Sequence, residues 1–221
     1  MSAELEYTRD EQPVAQEWSA AESDHRIANS LSMVASLVRL QAGAAGRGEP
    51  LAPQEARAML EEVAARIDAV GRLHRALAAA PIQEMVDASD YLRDICILAQ
   101  KIFDPEGRLS ICYELAEGAR IPASRMAALG LIVNEAVVNS IKYAHPTGVA
   151  GSITLVCRPV FGDSLLVTVE DDGVGLPDAF DQQNDGGMGF RIMRSLADQL
   201  GATLTCRSSP LGLTMQVLFA I

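Results

Sequence analysis

Three short segments in the second half of the chain carry residue types able to hold a polyphosphate and its counter-ion. The first is Asn134-Glu135-Ala136-Val137-Val138-Asn139-Ser140-Ile141-Lys142-Tyr143. Helical spacing sets Asn134, Glu135, Asn139 and Lys142 on one broad polar face of an otherwise apolar helix. Carboxamide and carboxylate oxygens are hard donors that suit Mg2+ and its waters, and a lysine nearby would meet phosphate charge. The second is Glu170-Asp171-Asp172-Gly173-Val174-Gly175-Leu176-Pro177, directly after a strand. An acid at a strand end can accept a hydrogen bond from an exocyclic amine, and Gly173 and Gly175 let the backbone approach a flat ligand closely. The third is Gly186-Gly187-Met188-Gly189-Phe190, opening a helix whose exposed amides and dipole favour phosphate. Taken singly, each has an ordinary explanation: a solvated helix face, a surface turn, a helix cap. The third is neither GxGxxG nor a P-loop.

The elements that must position these segments follow from periodicity. Asp90 to Phe103 reads as a helix, and Leu109, Ile111, Tyr113 and Leu115 alternate with Ser110, Cys112 and Glu114 as in a half-buried strand. Pro122 to Tyr143 reads as a long Ala-rich helix. Ser152 to Val160 and Ser164 to Glu170 are strands joined by Phe161-Gly162-Asp163. Gly187 to Leu200 is a helix that stops at Gly201. Thr203 to Arg207 and Leu213 to Phe219 form a last hairpin across Ser208-Ser209-Pro210. Helices and antiparallel-type strands together predict a two-layer α/β sandwich in an α+β chain.

The first third of the chain is different. Residues 1–18 are polar and aperiodic and read as a tail. Ile27, Leu31, Val34 and Val38 then recur at helical spacing until a Gly- and Pro-rich loop from Gly43 to Pro53. Ala56, Leu60, Val63, Ile67, Val70, His74 and Leu77 continue the alternating spacing and form an apolar seam. Two helices with a short loop predict an antiparallel hairpin, and two such hairpins would complete a four-helix bundle, so a homodimer through residues 19–82 is expected.

Composition narrows the classes. The apolar fraction is 49 % and the net charge is -11. A packed core is therefore expected, and the acidic balance argues against a nucleic-acid partner. The N-terminus lacks an apolar signal segment, and no stretch approaches the length of a membrane span. A cytoplasmic chain is the expectation. Cys96, Cys112, Cys157 and Cys206 lie too far apart for a metal motif and read as small buried apolar residues.

Order and spacing of the three segments bring a resemblance into view. Residues 120–221 resemble the Bergerat-fold ATP-binding domain shared by sensor histidine kinases, gyrase-type ATPases and MutL-like proteins. The resemblance implies Mg2+ ligands at Asn134 and Asn139, a polar or general-base residue at Glu135, and phosphate contact at Lys142, with Tyr143 beside it in the site. It implies the adenine contact at Asp172, with Gly173 and Gly175 beside it. Gly187, Met188 and Gly189 border a short lid, and Gly212-Leu213-Thr214 is similar to the last family signature, in which Thr214 would sit near adenine. In the hairpin, Asp24-His25-Arg26-Ile27-Ala28-Asn29-Ser30-Leu31 resembles the phosphoacceptor motif of HisKA_2-type histidine kinases. His25 is then implied as the phosphoacceptor, with Asn29 one turn on and Asp24, where relatives often have His, able to orient the imidazole or raise its pKa.

The implied organisation is a tail (1–18), a dimerisation and phosphotransfer hairpin (19–82) and an ATP-binding catalytic domain (83–221). The implied activity is ATP-dependent autophosphorylation at His25, followed by transfer to an aspartate of a response regulator receiver domain. ATP and Mg2+ are the implied cofactors. Without a recognisable sensor domain, input from a separate sensor protein is one expectation. Two rival readings are a phosphotransfer relay with a non-catalytic nucleotide domain and an anti-sigma-type ATP-binding module that sequesters a partner.

Overall fold

The computed structural model describes residues 85–177, 180 and 187–221, with scattered positions between 35 and 71. Asp24, His25, Asn29 and His74 lie outside the described residues. The continuously described stretch begins with a three-residue strand β1 (Met85–Asp87), whose last residue caps helix α1 (Ala88–Phe103). Asp87 accepts the Ser89 amide at 2.8 Å, which satisfies one orphan donor of the first turn. Tyr91, Leu92, Ile95, Cys96 and Ala99 recur at three- and one-residue steps and form the buried stripe. Asp104 ends the helix and turns the chain, its buried carboxylate accepting the Arg108 and Leu109 amides.

Strand β2 (Leu109–Leu115) follows, then the short β3 (Arg120–Pro122), which pairs antiparallel with β1. Neither three-residue strand was predicted, because neither is long enough to display an alternation. Helix α2 (Ala123–Tyr143) runs through the centre of the domain. Met126, Leu129, Leu131 and Ile132 on successive sides are all buried, as expected of a helix covered on most of its surface. Truncating one of these leucines to Ala costs about 2–5 kcal/mol.

The remaining elements are β4 (Gly151–Val160), β5 (Ser164–Asp171), α3 (Met188–Leu200), β6 (Thr203–Ser209) and β7 (Gly212–Ala220). Gly162 and Asp163 both take positive φ in the β4–β5 turn. Gly201 ends α3 in the left-handed region, its amide bonding back to Ala197 and Asp198. The main sheet has the order β2-β4-β5-β7-β6. All its pairs are antiparallel except β2 with β4, which are parallel. Ile153, Leu155 and Cys157 of β4, Leu165, Val167 and Val169 of β5, and Met215, Val217 and Phe219 of β7 face the three helices. The predicted two-layer architecture is thus the observed one, with a mixed sheet.

Arg125 fastens the layers at one end. Its guanidinium donates to the carbonyls of Leu200 and Ala220 and lies 4.9 Å over the Phe219 ring. Helices α1 and α2 meet tightly at Gly130, where a Cβ would meet Ile95 at 2.7 Å and Tyr91 at 2.8 Å. A residue without a side chain is needed there because α1 crosses α2 at this point.

Every described position from Pro53 to Gly71 is helical. Ala56, Val63 and Ile67 of the predicted seam are half-buried, but Leu60 is 63 % exposed and its neighbour Met59 takes the half-buried place. The seam therefore runs through 59 rather than 60, one step round the helix. Val38 is also exposed.

The cysteines divide. Cys96 and Cys157 are buried, Cys206 is half-buried and Cys112 is exposed on the outward side of β2, so the expectation of four buried thiols fails at Cys112. Burial pushes the Cys96 thiol up to about 12, and those of Cys157 and Cys206 to about 11, the last helped by the nearby Asp171 carboxylate. Brief treatment of the folded protein with a maleimide at neutral pH should therefore label Cys112 well before the other three, as read by peptide mass spectrometry.

Candidate functional site

A cavity of about 550 Å³ opens between the C-terminal half of α2, the turn after β5 and the start of α3. Asn139, Ser140, Tyr143, Asp171, Gly175, Gly187, Gly189 and Leu213 are among its lining residues. The three sequence segments therefore meet at one place. Strand alternation decides which acid faces it. Leu165, Val167 and Val169 of β5 point to the helices, and Asp171 continues that series.

Asp171 is buried and its carboxylate is held on three sides. Oδ2 accepts the Ser140 hydroxyl at 2.7 Å. Oδ1 accepts the Gly173 amide at 3.1 Å and the Leu213 amide at 3.2 Å. A carboxylate offers about four acceptor positions, so about one remains on Oδ2 for a donor entering the cavity. Gly212 makes this packing possible. Its φ is 137°, and a Cβ there would stand 1.9 Å from the Asp171 carbonyl oxygen.

Asp172, expected to make the base contact, faces the other way. Its Oδ1 accepts the Ser152 amide at 2.8 Å and the His145 Nε2–H at 2.9 Å, and its Oδ2 accepts the Ser152 hydroxyl at 2.8 Å. It is exposed and does not line the cavity. The same alternation corrects Thr214. Leu213 lies on the inward series with Met215 and lines the cavity, whereas Thr214 lies on the outward series with Gln216.

Burial alone would raise the Asp172 pKa, but the amide and hydroxyl of Ser152 and the His145 ring together hold it below the usual carboxylate range. A lowered folded value means that this carboxylate contributes stability above its unfolded pKa, about 4, and loses it as the pH falls through the folded value. An Asp172→Asn variant should therefore show a shallower loss of stability with acid than the wild type, measured by urea unfolding from pH 6 downwards.

The other predicted residues are distributed as follows. Glu135 is buried beside the first turn of α3, as shown by Gly189: a Cβ there would meet Glu135 Oε2 at 3.1 Å and Asn139 Nδ2 at 3.2 Å. A carboxylate, a carboxamide and helix N-terminal amides thus share a small volume. Asn134 is half-buried and outside the cavity lining. Lys142 does not line it either; its ammonium lies 5.4 Å over the Phe103 ring at the end of α1. Lys142 stands only about 60° round the helix from Asn139, and its long stem carries the ammonium over to α1. The predicted polar face is therefore not directed as a whole into the cavity. Tyr143, Gly175 and Gly187 line the cavity as expected, and the backbone of Met188 opens α3. Gly173 does not line it; it packs against Ala144.

Sequence reasoning missed Ser140, Asp171, Leu213 and the aromatic wall of Phe180 and Phe190, whose ring centroids are 5.5 Å apart. For Asp171 and Leu213 the parity of the strand was the available signal. Phe180 carried no signal, since no periodic run of the sequence includes it.

The oxygen donors and helix amides suit a phosphate–Mg2+ group by chemistry, and the acceptor left on Asp171 suits an amino-substituted base. Among the described residues no three His, Cys, Asp or Glu side chains gather as a metal site. A divalent ion would therefore be held jointly by Asn139 or Glu135 and by phosphate oxygens. No helix among the described residues is long and apolar enough to cross a membrane.

Comparison with known proteins agrees with this geometry. Residues 22–103 match the histidine kinase family HisKA_2, and residues 125–220 match the family of histidine kinase-, DNA gyrase B- and HSP90-like ATPases. The chain is 30 % identical over 188 residues to blue-light-activated histidine kinase 2 of Erythrobacter litoralis, covering 83 % of this chain and 51 % of that protein. It is 27 % identical over 203 residues to the sensor histidine kinase PdtaS of Mycobacterium tuberculosis, covering 91 % of this chain and 39 % of the relative. It thus spans about half or less of these curated relatives. The solved histidine kinase domain from an Erythrobacter litoralis blue-light activated histidine kinase superposes with a TM-score of 0.67 at 26 % identity, over 90 % of this chain and 93 % of that one. The two matches together make residues 22–103 a HisKA_2 histidine kinase segment and residues 125–220 a domain of the histidine kinase-, DNA gyrase B- and HSP90-like ATPases.

Proposed function

We propose that the chain is an ATP-dependent protein histidine kinase of a two-component system, which phosphorylates its own His25 and passes the phosphoryl group to a response regulator aspartate. The observation that carries this reading is the cavity itself: one inward carboxylate, Asp171, at one end, and the glycine-bordered N-terminus of α3 facing Glu135 and Asn139 at the other. The first end favours an amino-substituted base such as adenine. The second favours anionic oxygens, through backbone amides and the helix dipole.

In this reading Asp171 accepts the adenine amine, and Ser140, Gly173 and Leu213 hold its carboxylate in place. Asn139, with Asn134 on the strength of family resemblance, holds Mg2+. When bound, that ion would neutralise phosphate charge as it builds on the transferred group. Glu135, on the strength of the family resemblance, would orient the attacking imidazole or take its proton. Gly187 and Gly189 keep the rim of α3 free of side chains so that phosphate can reach the amides. Neutral imidazole is a suitable nucleophile near pH 7, and Asp24 and Asn29 would orient it. Residues 19–82 would form the phosphotransfer hairpin and dimer contact, and 83–221 the catalytic domain. The exposed Val38 and Leu60 are apolar surface of the kind a second hairpin would cover.

The test is incubation of purified protein with γ-labelled ATP and Mg2+ beside His25→Ala. Acid-labile, base-stable label on the wild type alone is expected. Binding of nucleotide without labelling would point instead to a relay protein charged by a phosphorylated partner.

A further inference from the structure

The relation between Asp172 and its surroundings carries an inference about how the cavity keeps its shape. Only Asp172 and Gly173 separate Asp171 from Val174, and glycine is the residue least able to fix its own backbone. Two contacts hold the far side of this turn: the Val174 amide donates to the Ala144 carbonyl at 2.9 Å, and Gly173 lies so close to Ala144 that a Cβ would meet its backbone oxygen at 2.4 Å. On the near side the Asp172 carboxylate collects three donors from two other segments, the loop after α2 and the start of β4. The His145 ring is only 12 % exposed and stacks on Gly151, where a Cβ would overlap Nε2. Because Asp172 can only accept, His145 Nε2 must carry a proton.

We propose that His145 and Ser152 are positioning residues for the cavity. They hold Asp172 on the outer side of the sheet at the end of β5, and so fix the Asp172-Gly173 turn from which the Gly173 amide reaches the Asp171 carboxylate. Neither touches the cavity. They act by sparing the bound state the cost of ordering the turn, which is the general route by which preorganisation raises affinity. The hydrogen bonds concerned end on a charged acceptor and are correspondingly strong. This role rests on the reading of the cavity as a nucleotide site.

The test is titration calorimetry of the whole chain with ADP, for the wild type and for His145→Ala, His145→Gln and Ser152→Ala, with thermal unfolding of each variant in the absence of nucleotide. His145→Ala and Ser152→Ala should each bind ADP about tenfold more weakly, about the worth of one charge-assisted hydrogen bond. His145→Gln, whose carboxamide N–H can still reach Asp172, should recover most of the affinity. A purely structural ring would give equal losses in Ala and Gln variants, in step with their unfolding temperatures, and that result overturns the proposal. So does wild-type affinity in both His145→Ala and Ser152→Ala. If the wild type itself takes up no ADP, the nucleotide reading is what fails, and the positioning role falls with it.

Discussion

Asp171→Asn should lower affinity for ADP and ATP by about a hundredfold, while leaving the fold intact. Two consequences combine. The carboxamide loses the negative charge to which Ser140, Gly173 and Leu213 donate, and hydrogen bonds to a charged group are worth about 1.5–3 kcal/mol each. The two backbone amides both bond to Oδ1, so the carboxamide oxygen will stay with them and the NH2 will replace Oδ2. The Ser140 hydroxyl can rotate to accept from that NH2, but an adenine amine cannot. A donor then faces a donor. A base with oxygen in place of the amine is the better partner for such a site, so the variant should lose less affinity for GDP than for ADP, or gain some. Equilibrium binding of both nucleotides to both proteins checks this. Equal affinity of the variant and wild type for ADP would remove Asp171 from the base contact.

Gly212→Ala should be the most destabilising single substitution in this part of the molecule. The residue holds φ at 137°, outside what alanine tolerates, and the added Cβ would stand 1.9 Å from the Asp171 carbonyl oxygen and 3.3 Å from the Asp172 Cα. Both opposing atoms are backbone, one in the last residue of β5 and one in the residue after it, so neither can swing aside as a side chain would. Overpacking costs about 1–3 kcal/mol and a forbidden backbone region of order 1–3 kcal/mol, which together suggest a fall in Tm on the order of 10 °C. Because the clash falls on Asp171, ADP binding should weaken as well, even where the variant is still folded. Calorimetric unfolding and ADP titration test the two parts separately.

Most of the domain was legible because its elements are long. Helix α2 has twenty-one residues with apolar groups throughout, and α3 ends where Gly201 stands. The β4–β5 hairpin announces itself through two alternating runs and a Gly-Asp turn. Two residues expected in the cavity lie one position away from those that line it, for one shared reason. Asp171 and Asp172 have the same chemistry, as types, and only the parity of β5 separates them. Following Leu165, Val167 and Val169 two residues at a time reaches Asp171. The same exercise on Met215, Val217 and Phe219, run backwards, reaches Leu213 and passes over Thr214. Lys142 was not recoverable in this way. Its ammonium turns to Phe103, and that depends on where α1 crosses α2, a tertiary relation that no local pattern encodes. The parallel partnership of β2 and β4 was hidden for a similar reason, since the two strands are separated in sequence by β3 and all of α2.

That parallel edge also sets an order of assembly. The β4–β5 and β6–β7 pairs close across tight turns and should form on the microsecond timescale of hairpins. Strand β2 can join only when the chain has completed an excursion through α2 and returned to β4, a long loop whose closure entropy must be met before any ladder bond rewards it. Once in place, β2 is held by one neighbour in the sheet and by α1 above it. The α1–β2 unit should therefore open as a cooperative block ahead of the rest, its amides exchanging with solvent deuterium while those of the central β5 strand remain protected.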